Sequence, residues 1–384
     1  MKKTFYFLMV ILSAGCKEKY DSPVISPQTG YLVVEGNINS GNGTTLIRLS
    51  RTTKLDNRNL ITEPGALLKV EGDDNSSYNL TDNGSGLYSA NLVLNPAVKY
   101  RLNITTSNGK KYLSDFTSVT NSPPIDSVSW KRENDGVQIY VNSHDPSNNT
   151  KYYQWDYSET WEFHSTYATS LKYKVTNLAN GPSYEVVYRD STNFKSDTTL
   201  YTCWQTEAAS TINIGSTATL SSAVIYLPVV YVPPASQKLS YLYSIEVKQY
   251  GISKEGYEFL EKMKKNTETT GSLFDAQPSE LSGNIHCVSD PNETVIGFVN
   301  VSLVQTKRIF ISVNDVPGWN YSELCPSTKI ANVSDSIREF GIGLLPTYIA
   351  EASPLGTIVS FYAAPPTCVD CTLRGTNIKP SFWP

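Results

Sequence analysis

Tyr31-Leu-Val-Val-Glu-Gly-Asn-Ile38 is the stretch that decides the fold. It is rich in β-branched residues and reads as a strand rather than a helix. Working downstream, Thr45-Leu-Ile-Arg-Leu-Ser50 and Ala66-Leu-Leu-Lys-Val-Glu71 have the same character, the second closed by a Gly72-Asp73-Asp74-Asn75 turn. Residues 78–81, Gly86-Leu-Tyr-Ser-Ala90, Lys99-Tyr-Arg-Leu-Asn-Ile104 and residues 112–119 continue the series. Asn83-Gly84 and Asn108-Gly109 punctuate it as tight hairpin turns, because those residue types tolerate positive φ. Short strands recurring every ~8–12 residues predict a β-sandwich of immunoglobulin or transthyretin type over residues 31–121.

Asn121-Ser-Pro-Pro124 breaks the rhythm and marks a domain boundary. Residues 125–130, Val137-Gln-Ile-Tyr-Val141 and Lys151-Tyr-Tyr-Gln-Trp-Asp-Tyr157 then open a second, fibronectin-like β-rich domain, expected over residues 122–384. Within it, residues 164–237 are polar and broken by Pro182, Pro228, Pro233 and Pro234. They read as a long irregular insertion, the kind of loop on which binding residues concentrate. Strands resume at 239–250, with Tyr241, Tyr243, Ile245 and Val247 on one face. One helix is predicted at about 254–266, capped by Ser253, with Tyr257, Leu260 and Met263 as its apolar stripe and Phe259 alongside. Further strands are expected at 283–286, 294–302 and 308–313.

Upstream of the first strand the chain carries an address. Lys2 and Lys3 precede an apolar run over residues 5–12, and Ser13-Ala14-Gly15-Cys16 follows. A charged start, a short apolar run and small residues make a secretory signal, residues 1–15. The run falls short of the ~20 residues a membrane-spanning helix needs. The coincidence of cleavage site and cysteine looks like a lipobox, although Ser13 stands where an aliphatic residue is usual and Leu12 lies one position further back. Cys16 is therefore the expected lipidated (palmitate-bearing) N-terminus. Several acyl chains there would hold the membrane firmly, at ~0.8 kcal/mol per buried methylene. Residues 16–30 read as a tether.

Composition narrows the partners. The formal net charge is −4, and losing Lys2 and Lys3 makes it more negative still, so no basic stripe is available for nucleic acid. The 25 tyrosines suit strands first and binding surfaces second. After Cys16, five cysteines remain. In an oxidising compartment two structural disulfides are expected among Cys203, Cys325, Cys368 and Cys371, with Cys287 free and the connectivity open. Cys368-Val-Asp-Cys371 lacks the second CxxC, the histidine or the βαβ setting of a zinc or redox motif.

Catalytic patterns are sparse. There is no HExxH, no G-x-S-x-G and no Gly-rich phosphate loop, so neither metal nor cofactor is expected. Glu162 and His164 share a strand face and are the one acid–histidine pair close in sequence that would be worth testing for an enzyme acting on glycans or peptides. Asp290-Pro-Asn-Glu293 reads as a turn rather than a calcium loop. Aromatics are the better lead. Trp161, Trp204, Tyr226 and Tyr231 are the candidate ligand contacts, the alternative for each being ordinary core. Asp126-Ser127, Asp190-Ser191, Asp197-Thr198 and Asp335-Ser336 fit a short motif that resembles O-glycosylation sites of Bacteroidota.

The chain as a whole resembles a family. Tyr31-Leu-Val-Val-Glu-Gly, Gly84-Ser-Gly-Leu-Tyr88 and Pro124-Ile-Asp-Ser-Val128 carry the likeness. So do Tyr250-Gly-Ile-Ser-Lys-Glu-Gly-Tyr257, Thr269-Thr-Gly-Ser-Leu-Phe-Asp275, Pro278, Gly283-Asn-Ile285, Gly297-Phe298, the Cys368–Cys371 motif and Lys379-Pro-Ser-Phe-Trp383. Together they resemble the Bacteroidota lipoproteins of domain of unknown function 4249 (DUF4249). The resemblance implies an outer-membrane setting near TonB-dependent transporters, and no catalytic residues to carry over. The charged Lys17-Glu18-Lys19-Tyr20-Asp21 is similar to the cue that sends such lipoproteins to the cell surface. The expectation is a non-enzymatic, lipid-anchored protein that binds an unidentified ligand or serves a TonB-dependent transporter as a lid-like accessory. A surface structural or adhesive protein is the rival.

Overall fold

A computed structural model describes residues 30–53, 59–190, 192, 195–268 and 283–384. The signal, Cys16, the tether before Gly30 and the Thr269–Asp275 and Pro278 motifs lie outside them. Strand alternation does in the first sandwich what the sequence predicts. Leu32 and Val34, Ile47 and Leu49, Leu68 and Val70, and Leu102 and Ile104 point into one core, around Tyr88, Tyr100 and Tyr112. Both predicted turns form: Gly84 and Gly109 have φ of 82° and 85°.

The closure of that sandwich departs from the expected division at residue 121. Three short strands arrive from far along the chain. Ile285–Cys287 pairs antiparallel with Lys111–Ser114, and Val295–Ile296 runs parallel to Leu32–Glu35. Val301–Leu303 lies between Ile38–Asn39 and Thr117–Asn121, parallel to both. Residues 285–303 thus complete both sheets of the first sandwich instead of extending the second, because Ile285, Val295, Val299 and Val301 fill its core. Gly297, at φ 150°, makes the crossing possible: a Cβ there would meet the Val34 carbonyl oxygen at 2.3 Å.

The second sandwich faces the sheet Ile125–Glu133, Gly136–His144, Val224–Val232 against a five-stranded sheet. The spine of the latter is Tyr152–His164, flanked by Leu242–Gly251 on one side and by Thr202–Ala208 and Asn213–Ser216 on the other. Gln305–Ser312 forms the far edge. Val137, Ile139, Val141 and Ile225 meet Trp155, Phe163, Tyr243, Ile245 and Ile311 between the sheets. Trp155 donates its indole N–H to Gln249 Oε1 at 2.9 Å, and the Gln249 amide donates to the Pro123 carbonyl and to Ser143.

The irregular insertion expected at 164–237 is largely regular. Thr202–Ala208, Asn213–Ser216 and Val224–Val232 are members of this sandwich. Pro228 is accommodated because it sits on an edge strand, beside the register shift at Ile139/Tyr140. Among the described residues of the insertion, the hairpin Leu171–Leu178/Gly181–Tyr188 leaves the body and packs on a third sheet of Thr328–Ala331, Ile358–Ala364 and Leu345–Ala352. Leu171, Val186, Ile330, Ile337 and Phe361 make a small core of their own there.

The helix Lys254–Glu268 is capped by the Ser253 hydroxyl, which accepts from the Gly256 N–H at 3.0 Å. Its most buried residues are Gly256 and Phe259 rather than the predicted Tyr257–Leu260–Met263 stripe, whose members are half-buried. The shift follows from two contacts, Phe259 on Phe298 and Gly256 against Asn300. Cys203 pairs with Cys371 and Cys325 with Cys368, leaving Cys287 free and buried.

Candidate functional site

The candidate aromatics part company. Trp161 and Trp204 are 3% and 8% exposed and cannot meet a ligand; they fill the protein interior. Tyr231 is exposed but clasps the Asn134-Asp135 turn, donating its hydroxyl to the Asn134 carbonyl at 2.9 Å. Tyr226 alone presents a ring to solvent, half exposed and stacked on Tyr140.

Glu162 and His164 do come together, Oε1 to Nε2 at 3.0 Å. The pair is hemmed in, however, its side chains only 22% and 16% exposed. Trp383 donates its indole N–H to Glu162 Oε2 at 3.0 Å, and the imidazole is packed between Tyr241 and Tyr201, with centroids at 3.6 and 4.7 Å. Trp383 itself is 7% exposed, wedged edge-on against Trp204 and Phe310, so the C-terminal segment lies across this face of the sheet. Asp290 forms the expected turn, accepting from the Asn292 N–H, and Glu293 reaches away from it to Lys110 at 2.5 Å and to the Tyr112 hydroxyl at 2.7 Å. Among the described residues no group of three or more metal-ligating side chains gathers. Of the glycosylation-like motifs, Asp190 and Asp197 accept backbone N–H bonds from Thr192 and Thr199, and Ser191 lies outside the described residues.

A concavity lies where the two sandwiches meet, and sequence reasoning missed it. The cleft has a volume of about 460 Å³. Glu35, Asn37 and Arg48 line it from the first sandwich, and Asp156, Lys248 and Tyr250 from the second. Strand register explains the second set: Asp156 and Lys248 are cross-strand partners, and Tyr250 pairs with Gln154 one outward position along. The Asn37 amide donates to Gln154 Oε1 at 3.0 Å and accepts from Asn300 at 3.3 Å, so the wall is braced across the junction. Burial pushes the Asp156 carboxyl up from its ordinary value, against the hydrogen bonds from Gln154 and Tyr250 and the field of Lys248. Burial, joined by the neighbouring Asp156, likewise drives the Tyr250 phenol far up. The cleft therefore offers convergent hydrogen-bonding groups around a partly desolvated acid, the combination that marks ligand sites at domain junctions.

Residues 17–308 match the family described as domain of unknown function DUF4249. No curated protein matches the chain. Two solved structures show faint likeness. A candidate carbohydrate-binding protein from Bacteroides uniformis is 10% identical over 58% of this chain and 90% of its own, with a TM-score of 0.14. Chitinase ChiA74 from Bacillus thuringiensis is 11% identical over 49% of this chain and 29% of its own, with a TM-score of 0.15. At such scores neither likeness bears on this chain's chemistry.

Proposed function

This chain belongs to the DUF4249 family, and from that premise we propose a non-enzymatic lipoprotein of the outer membrane. It is anchored through Cys16, faces the cell surface, and holds a ligand in the cleft between its sandwiches for a TonB-dependent transporter. The cleft is the observation that carries the reading: Asn37, Asp156, Lys248 and Tyr250 converge there without a nucleophile–base pair among them. Glu162 is held by the Trp383 indole and His164 packs on Tyr241 and Tyr201, which favours a structural over a hydrolytic role for this pair. The anchor rests on the signal and lipobox at residues 1–16. Among the described residues no helix is long and apolar enough to cross a membrane.

Affinity capture of the tagged full chain from mild detergent tests the partner. A TonB-dependent barrel in the eluate is expected; an eluate free of any such barrel counts against the accessory role. In the same cells Cys16→Ala should leave the membrane fraction. Protease should cleave the wild type on intact cells, and protection until the outer membrane is broken would contradict surface exposure.

A further inference from the structure

The outward face of the three-stranded sheet carries a second surface, built from residues none of which line the cleft. Tyr140 and Tyr226 lie on adjacent strands with ring centroids 4.7 Å apart and planes 4° from parallel. One face of Tyr226 is covered by Tyr140, yet the residue is 50% exposed. Strand register fixes what surrounds the stack. Asn142 is paired with Tyr226, and His144 is paired with Val224, the next outward position on the side away from Tyr140. The His144 Nδ1 lies 2.7 Å from Asp126 Oδ2, and this pair is exposed. On the other flank the Lys131 ammonium stands 5.1 Å from the Tyr226 centroid, and Tyr140 donates its hydroxyl to Glu133 at 2.6 Å.

An aromatic face offered to water beside an amide, an imidazole–carboxylate pair and an ammonium is amphipathic in the way a pyranose ring is. The sugar's axial C–H face packs on the aromatic ring while its rim of hydroxyls donates and accepts. Lys131 has Glu133 close by and the His144 imidazole lies against the Asp126 carboxylate, so neither basic group faces the ring without an acid beside it, which favours a neutral sugar over an acidic one. We propose that Tyr226, backed by Tyr140 and edged by Asn142 and the His144–Asp126 pair, is a docking platform for a pyranose unit of a neutral polysaccharide. An edge strand on an open sheet face suits an extended chain better than an enclosed monosaccharide.

Affinity electrophoresis of the soluble chain through gels containing β-glucan, xylan, mannan or polygalacturonate tests this. At least one neutral polysaccharide should retard the wild type. Tyr226→Ala, at an exposed position, should weaken that retardation at least 10-fold, whereas Tyr226→Phe should preserve it because the ring face is kept. Tyr348→Ala, in the stacked tyrosine pair of the third sheet, should leave it unchanged. Thermal melts of each variant show whether the loss reflects the surface or the sheet. Retardation by no neutral polysaccharide, by polygalacturonate alone, or equally in wild type and Tyr226→Ala would overturn the platform. None of these outcomes touches the cleft reading.

Discussion

Asp156 and Glu293 are two carboxylates that the fold treats in opposite ways. For Asp156 burial dominates and raises the folded pKa. Its contribution to stability is therefore complete below the ordinary value of 3.8 and is lost as pH rises through the folded value. Asp156→Asn should lack that decline, so melts of wild type and variant should diverge as pH rises above 4, with the variant ahead. For Glu293 burial also raises, but hydrogen bonds from Lys110 and Tyr112 outweigh it and hold the carboxyl below the ordinary 4.5. Here the contribution is complete above 4.5 and is lost as pH falls through the folded value. Glu293→Gln should cost about 2 kcal/mol at neutral pH in urea melts, and the gap should narrow in acid. Neither role was legible in the sequence. Asp156 stands inside a quoted strand, but its cleft is made with Asn37, whose partner Gln154 is 117 residues away.

The C-terminal segment acts as a clasp. Trp383 fills a slot between Trp204 and Phe310, and the adjacent Phe382 covers the Arg308 guanidinium at 3.6 Å. Trp383→Ala should destabilise by about 3 kcal/mol in equilibrium urea unfolding, the lower end of the range for a buried tryptophan. A variant as stable as wild type would show that the clasp does not hold the sheet. The disulfide Cys203–Cys371 ties the same segment down across 168 residues. Removing it with Cys203→Ser/Cys371→Ser should cost about 2–5 kcal/mol, read from the same melts. Five cysteines expected in an oxidising compartment gave two bridges with one cysteine left over; the partners were not readable, since loop spacing leaves every connectivity open. Pro228 shows why the insertion was misread: proline looks like a breaker until its strand is known to be an edge.

Across the protein, alternation at Leu32/Val34 and Ile47/Leu49 made the sandwich class legible, whereas its closure was not. Val295–Ile296 is two residues long, and nothing local tells such a strand that its partner is Leu32–Glu35. The protruding hairpin escapes the sequence for a related reason: its strand Leu171–Leu178 is exposed at most positions and shows no buried face in its pattern. The closure has a consequence for folding. A fragment of residues 30–121 should remain unfolded by circular dichroism, because it lacks the strands that fill its core. Cooperative melting of that fragment alone would contradict the interlocked arrangement. The same interlock fixes the walls of the cleft, and the cleft is where ligand binding stands or falls. The most direct measurement is native mass spectrometry of the full chain purified from its own cells, beside Ala208→Trp, which fills the cleft from an exposed position. A bound small molecule on the wild type that disappears in Ala208→Trp is the predicted result; a bound molecule retained equally by both, or none on either, would contradict it.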